Sequence, residues 1–228
     1  MKKQMVSGDG KDTVYARTQV KIYTGDHFIY AAMAPDSSVG FGVGTYKADT
    51  GSKIIESNIY SSAALDSPKN FNVLIKWADS GYTQVIPAIQ TFHGVKYDET
   101  EVYHKLPPAD TSVLDGVWKL DSNYTIKGKD KTIGNEVQFK AFWSGHFMFV
   151  HRYPLDNTNS KFKNGFGYGD FSLKNDTLTE NEQLTSHSSL MGRTFAIKIT
   201  FKGSDEYSQV ITDSKSGEQS VEIYRRIK

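Results

Sequence analysis

The chain has 228 residues, 38% hydrophobic and 13% aromatic, with 27 basic against 26 acidic side chains and a formal charge of +1. That balance supplies no long-range field to gather a nucleic-acid backbone or an anionic membrane surface, so nucleic acid is not an expected partner. The absence of cysteine excludes a disulfide framework, a thiolate metal site and a cysteine nucleophile, and no run approaches the roughly 18 apolar residues of a membrane-spanning helix.

The N-terminal stretch MKKQMVSGDGKD starts basic but turns polar at once, without the apolar core of a secretory signal. From there on, short alternating runs broken by Gly, Asn, Asp and Ser dominate, and no segment keeps apolar spacing of three and four over ten or more positions. TGDHF at 24–28 returns as WSGHF at 143–147, and Lys21 and Pro35 return as Lys140 and Pro154 at the same offset. FGVGTY at 41–46 then matches FGYGDF at 166–171, FNVLIK at 71–76 matches FAIKIT at 195–200, YTQVI at 82–86 matches YSQVI at 207–211, and EVYHKL at 101–106 matches EIYRRI at 222–227. Ordered matches with little drift indicate a duplicated unit. The paired prolines of LPPADTSVLD cannot join a central strand, which divides the chain into residues 1–106, a linker at 107–114 and residues 115–228.

In the second copy eight strands are expected, beginning near Val117, Gln138, His146, Gly165, Thr177, Thr194, Glu206 and Ser220. A single helical turn is expected at SHSSLMG, matching SSAALDSP in the first copy. Strands joined by short turns pair antiparallel, and eight of them close into an up-and-down barrel with no free edge and room for side chains or one small ligand. The predicted architecture is therefore all-β: two tandem eight-stranded antiparallel barrels, the first with a truncated first strand, because alignment sets Lys2 and Gln4 where Gly116 and Trp118 stand.

Alternation fixes faces. Phe195, Ile197, Ile199 and Phe201, and in the first copy Phe71, Val73, Ile75 and Trp77, form inward rows, each side chain contributing roughly 1.5 to 3 kcal/mol on burial. Two-residue turns at Ser144-Gly145 and Gly25-Asp26 put Trp143 with His146, and Thr24 with His27, on shared faces. The more apolar set of that strand, Val137, Phe139, Ala141 and Trp143, reads as inward, which carries His146, Met148 and Val150 inward as well. A histidine beside a hairpin is commonly a structural hydrogen-bonder; contact with a ligand is the alternative. The matched glutamates Glu56/Glu180 and Glu101/Glu222 have two readings: outward as solvated strand residues, the commoner case because an unpaired buried carboxylate is costly, or inward, making a polar cavity with His27 or His146. The alternating glycines of GFGYG mark a close approach in the sheet, with no phosphate-loop sequence following them. The histidines lack metal-ligand spacing, so no metal and no cofactor is expected.

DGVWKL, with Gly116 and Trp118 on the first strand, and EIYRRI, with Arg225 and Arg226 on the last, resemble the lipocalin and calycin pattern. The run of G-x-W, G-H-F, a glycine-alternating strand, TLTENE and a final E-x-aromatic-x-R is similar to small bacterial lipocalin-like domains over almost the whole second copy. That resemblance implies a tryptophan plugging one barrel end with a last-strand arginine across it, and a protein exported to the periplasm or beyond, which here requires a chain starting after a removed signal peptide; with Met1 native the chain is cytoplasmic. The expected function is binding of a small hydrophobic or amphipathic molecule through His146, Trp143, Met148, Phe195, Ile197, Phe201, Glu222 and Tyr224, and through His27, Ile29, Phe71, Val73, Trp77 and Tyr103. Two alternatives are an enzyme using His146 with Tyr224 or Glu222, and an interaction module with filled barrels and an interface of Phe147, Phe149 and Tyr153.

Overall fold

The computed structural model describes the chain except residues 2, 9–10, 63–68, 91–95, 157–160 and 214, and the side chains of residues 3, 8, 11, 50 and 90. The described residues form strands and turns, without helices, and divide into two compact units, Met1–Pro107 and Pro108–Lys228.

Unit 1 contains β1 (Lys3–Gly8), β2 (Lys11–Tyr15), β3 (Thr18–Tyr23), β4 (His27–Met33), β5 (Val39–Thr50), β6 (Lys53–Ser61), β7 (Lys69–Ala78), β8 (Gly81–Gln90) and β9 (Lys96–His104). They pair in the order β2-β1-β9-β8-β7-β6-β5-β4-β3, an open, curled antiparallel sheet. Unit 2 contains β10 (Gly116–Lys127), β11 (Asp130–Ile133), β12 (Val137–Trp143), β13 (His146–Pro154), β14 (Phe162–Lys174), β15 (Thr177–Thr185), β16 (Thr194–Phe201), β17 (Glu206–Thr212) and β18 (Gln219–Arg226). Here β10 pairs with both β12 and β18, which closes an eight-stranded antiparallel barrel, and β11 folds back as a side hairpin on β10.

Closure depends on a short stretch. Residues 116–119 of β10 pair with β12, from Gly116 opposite Phe142 to Lys119 opposite Phe139. In unit 1, β1 pairs with β9 so that Gln4 lies opposite Glu101, the register that Asn123 holds opposite Glu222 in unit 2. Gln4 thus occupies the place of Asn123, where alignment had set it against Trp118, and the β1–β2 hairpin is the counterpart of the later half of β10 with β11. Among the described residues no strand pairs with the free side of β3; the Met1 ammonium donates to the Gln19 carbonyl at 2.6 Å.

The plugged end of the unit 2 barrel holds its apolar core. Trp118, Phe142, Phe147, Phe171, Ile199, Tyr207 and Tyr224 pack together with Leu114, with Tyr207 edge-on to Trp118 at 4.8 Å and stacked on Tyr224 at 4.9 Å. The Arg226 guanidinium lies 4.1 Å from the Trp118 ring centroid, within cation–π range, and donates to the Val113 carbonyl at 2.8 Å and the Asp115 carbonyl. The Trp118 indole N–H donates to the Leu114 carbonyl at 2.7 Å, and Ala109 N–H to Ser144 O at 3.0 Å. Residues 109–114, expected as a linker, are therefore fastened to the plugged end of unit 2. SHSSLMG forms turns in place of the expected helical turn; its counterpart in SSAALDSP lies largely outside the described residues.

Candidate functional site

The hairpins at residues 143–146 and 24–27 are both tight: in the first, Ser144 and Gly145 have φ of 48° and 78°, the left-handed pair of a type I′ turn, and Trp143 lies opposite His146; in the second, Thr24 N–H donates to the His27 carbonyl at 2.8 Å. The inward face is the other one. Gln138, Lys140 and Phe142 of β12, and Phe147, Phe149 and His151 of β13, point into the barrel. Val137, Phe139, Ala141 and Trp143, and with them His146, Met148 and Val150, take the outer face by alternation. Apolar content does not mark the inward face here, because the outer face of β12 is wholly apolar while two of the three inner positions, Gln138 and Lys140, are polar.

His146 accordingly sits outside the barrel, its Nδ1 at 2.8 Å from Asp170 and 3.2 Å from the Tyr168 hydroxyl. Tyr224 and Glu222 lie on the inside, so the catalytic trio of His146 with Tyr224 and Glu222 cannot assemble across the wall. In unit 1, His27 and Ile29 likewise take the outer face, His27 holding Asp26 at 2.6 Å, while Tyr23 and Phe28 point in. The inward placement of Phe147 and Phe149 removes the interface expected of them with Tyr153.

Phe195, Ile197, Ile199 and Phe201 occupy the inner face in unit 2, as do Phe71, Val73 and Ile75 in unit 1. Trp77 continues that row but is 63% exposed, resting against Tyr82 and donating to the Gly51 carbonyl at 2.9 Å. On the last strand, Glu222 and Tyr224 face in, and the matched Glu101 and Tyr103 do the same.

These inward carboxylates belong to a polar belt that recurs in both units. In unit 2, Lys140 Nζ is 2.7 Å from Glu180, Gln209 donates to Glu222 at 2.7 Å, Tyr224 donates to Glu222 at 2.5 Å, and Gln138 donates to the Tyr224 hydroxyl. In unit 1, Lys21 Nζ is 2.5 Å from Glu56, Gln19 donates to Glu101 at 2.8 Å and to the Tyr103 hydroxyl, Tyr103 donates to Glu101 at 2.8 Å, and Gln84 donates to the same carboxylate. Of the two readings of the four glutamates the inward one holds, because each pair of them brings its own lysine and amide partners. The sequence signal was the same-face spacing Q-x-K, Y-x-Q and E-x-Y, present twice in order.

Above each belt a cavity of about 420 Å³ opens. Gly165, Gly167 and Gly169 face inward on β14 and let neighbouring side chains pack close: a Cβ on Gly167 would stand 2.3 Å from the Phe149 ring and 2.7 Å from Glu182. In unit 2 the cavity walls include Phe149, Phe195, Ile197 and Leu190 on the apolar side and Glu136, Glu180, Glu182 and Glu222 with Lys140 on the polar side. At its upper edge His151 and His187 hold each other Nε2 to Nε2 at 2.8 Å, and Glu136 lies 3.2 Å from His151 Nδ1. No group of three or more possible metal ligands gathers among the described residues.

The cavity electrostatics follow from burial. The Glu182 carboxyl is pushed up to about 8, first by burial and then by the neighbouring charge of Glu180, against the pull of Lys140. Burial raises Glu222 too, opposed by Lys140 and by the Tyr224 hydrogen bond, and lowers His187, with the charge of His151 acting the same way. In unit 1, Glu99 is pushed up to about 7 by burial and by Glu101. Two carboxamide or carboxyl oxygens at matched positions, Asn58 Oδ1 and Glu182 Oε2, are buried without a hydrogen-bond partner, and both side chains line their cavities.

No family model matches the chain, and no curated protein is similar to it at a significant level. Among solved structures, that of a protein of unknown function from the DUF3598 family of Nostoc punctiforme PCC 73102 is similar over 99% of this chain and 94% of that chain, at 10% sequence identity. The TM-score of 0.32 is too low for the likeness to bear on fold or function.

Proposed function

We propose that the two units are copies of one lipocalin-like unit and that each binds a small, partly hydrophobic molecule in its cavity. A volume of about 420 Å³ suits a compact organic molecule, and an apolar wall with a few convergent polar groups is the usual make-up of such a pocket. The observation that carries the reading is the pair of buried, unpartnered oxygens, Asn58 Oδ1 and Glu182 Oε2. A buried acceptor left unpaired costs about 1 to 3 kcal/mol, a cost that a ligand donor or ordered water would relieve.

Native mass spectrometry of the chain purified from a cell extract tests this. The expected spectrum shows discrete small-molecule adducts, and Ile211→Trp and Ile89→Trp, which fill the two cavities from their walls, each lower the adduct stoichiometry. A chain that is bare from every extract, or adducts that survive both substitutions, contradicts the reading.

A further inference from the structure

The two cavities differ in their charged groups, with Glu182 in unit 2 standing where unit 1 has Asn58, and we propose that the unit 2 cavity selects a ligand with a cationic, hydrogen-bond-donating head, an ammonium or amidinium, on an apolar body, with Glu182 as the seat of the head. The inference rests on the cavity-binding reading above and adds the chemical class of the ligand.

Glu182 is 3% exposed and faces the cavity, with Oε2 free of any hydrogen-bond partner. The other carboxylates of the belt are occupied. Glu180 holds Lys140 at 2.7 Å, Glu222 accepts from Gln209 and Tyr224, and Glu136 accepts from Asn123 at 2.9 Å beside His151. Lys140 is thus matched by Glu180, and the remaining acids leave the walls with an excess of carboxylate over cation. The unpartnered oxygen packs over Gly167, where a Cβ would stand 2.7 Å from it, and the Glu182 side chain lines the same cavity as Phe149, Phe195 and Ile197, which supply a wall for an apolar body.

Unit 1 lacks this arrangement. Asn58 stands at the position of Glu182, and Arg17 and Lys69 join Lys21 against Glu56, Glu99 and Glu101, so the walls are balanced in charge. Asn58 Oδ1 can still accept a hydrogen bond, which suits a neutral donor as well as a cation. Burial also keeps Glu182 protonated near neutrality, and an arriving ammonium reverses that: the protonated carboxyl and the ammonium give a carboxylate–ammonium pair and one proton released to solvent.

Calorimetric titration of the full chain with 2-phenylethylamine, 2-phenylethanol and 3-phenylpropionate, in two buffers of different ionisation enthalpy at neutral pH, tests the proposal. The amine is expected to bind the unit 2 cavity about tenfold or more tighter than either analogue, a difference of about 1.4 kcal/mol, releasing up to one proton. Glu182→Gln, which keeps the shape, is expected to bring the amine to the affinity of the alcohol and to abolish the proton release, and Asn58→Asp to add amine binding in unit 1. Equal affinities for the three probes overturn the cation selection while leaving the cavity reading in place. An amine preference that persists in Glu182→Gln overturns the assignment of the seat, and no binding by any probe overturns both readings.

Discussion

The two units carry the same buried belt on sheets that close differently. In unit 2, residues 116–119 complete the ring and set Trp118 beneath the belt; in unit 1 the β3 side has no paired strand among the described residues, and Gln19 meets the Met1 ammonium there. Lys21 with Glu56 and Lys140 with Glu180 nonetheless hold corresponding places. The belt therefore does not depend on a closed wall. It depends on neighbouring strands in fixed register, each presenting alternate polar residues to one face.

The largest expected effect breaks the shared feature. Lys140→Met leaves Glu180 buried without its counter-charge and is expected to cost about 3 to 5 kcal/mol in chemical denaturation, with Lys21→Met costing a similar amount in unit 1. The double substitution Lys140→Met with Glu180→Met is expected to recover most of the loss, because removing both ions also removes their desolvation. Next comes the feature that separates the units. Trp118→Ala empties the plug against Tyr207 and strips the surface under Arg226, at about 3 to 5 kcal/mol, whereas unit 1 has no tryptophan at its belt to lose; Trp77→Ala, on a side chain 63% exposed, is expected to stay within about 1 kcal/mol.

A smaller effect comes from matched glycines. A Cβ on Gly165 would stand 2.4 Å from His151 Nε2 and 2.5 Å from His187 Nε2, whereas on Gly40 it would meet the Ser62 hydroxyl at 3.7 Å. Gly165→Ala is therefore expected to destabilise by about 1 kcal/mol or more, and Gly40→Ala to change stability by less than about 0.5 kcal/mol. The smallest effect is in pH dependence. The Glu182 carboxyl lies at about 8 in the folded chain against an ordinary 4.5; between those values the folded state holds a proton that the unfolded state has lost, so stability falls as pH rises through that window and levels off above it. Glu182→Gln should flatten the decline between pH 4.5 and about 8, and Glu99→Gln the part between 4.5 and about 7, measured as thermal midpoints across pH.

How much of this was legible in the sequence varied with the strand. Phe195 to Phe201 alternate cleanly between apolar and polar, and their inward face is visible without coordinates. β12 carries its apolar set on the outer face, so its inward side, Gln138, Lys140 and Phe142, is the worse candidate by composition, and the partner that makes it tolerable, Glu180, is distant in sequence. The outward reading of Glu56, Glu101, Glu180 and Glu222 failed for the same reason: the cost of a buried carboxylate is decided by what sits beside it. His151 and His187 meet over Gly165 from elements 36 residues apart, a pairing that local spacing does not encode. The short β11 hairpin was missed because DKTI lacks the alternation of a half-buried strand.

Glu182 offers the most direct test of a buried belt that borders the cavity with an unpartnered acceptor. The carboxyl ¹³C shift of Glu182, followed by NMR across pH in the full chain and assigned with Glu182→Gln, is expected to titrate with a midpoint near 8. A midpoint in the ordinary glutamate range of about 4.3 would place that carboxyl in water and contradict the account.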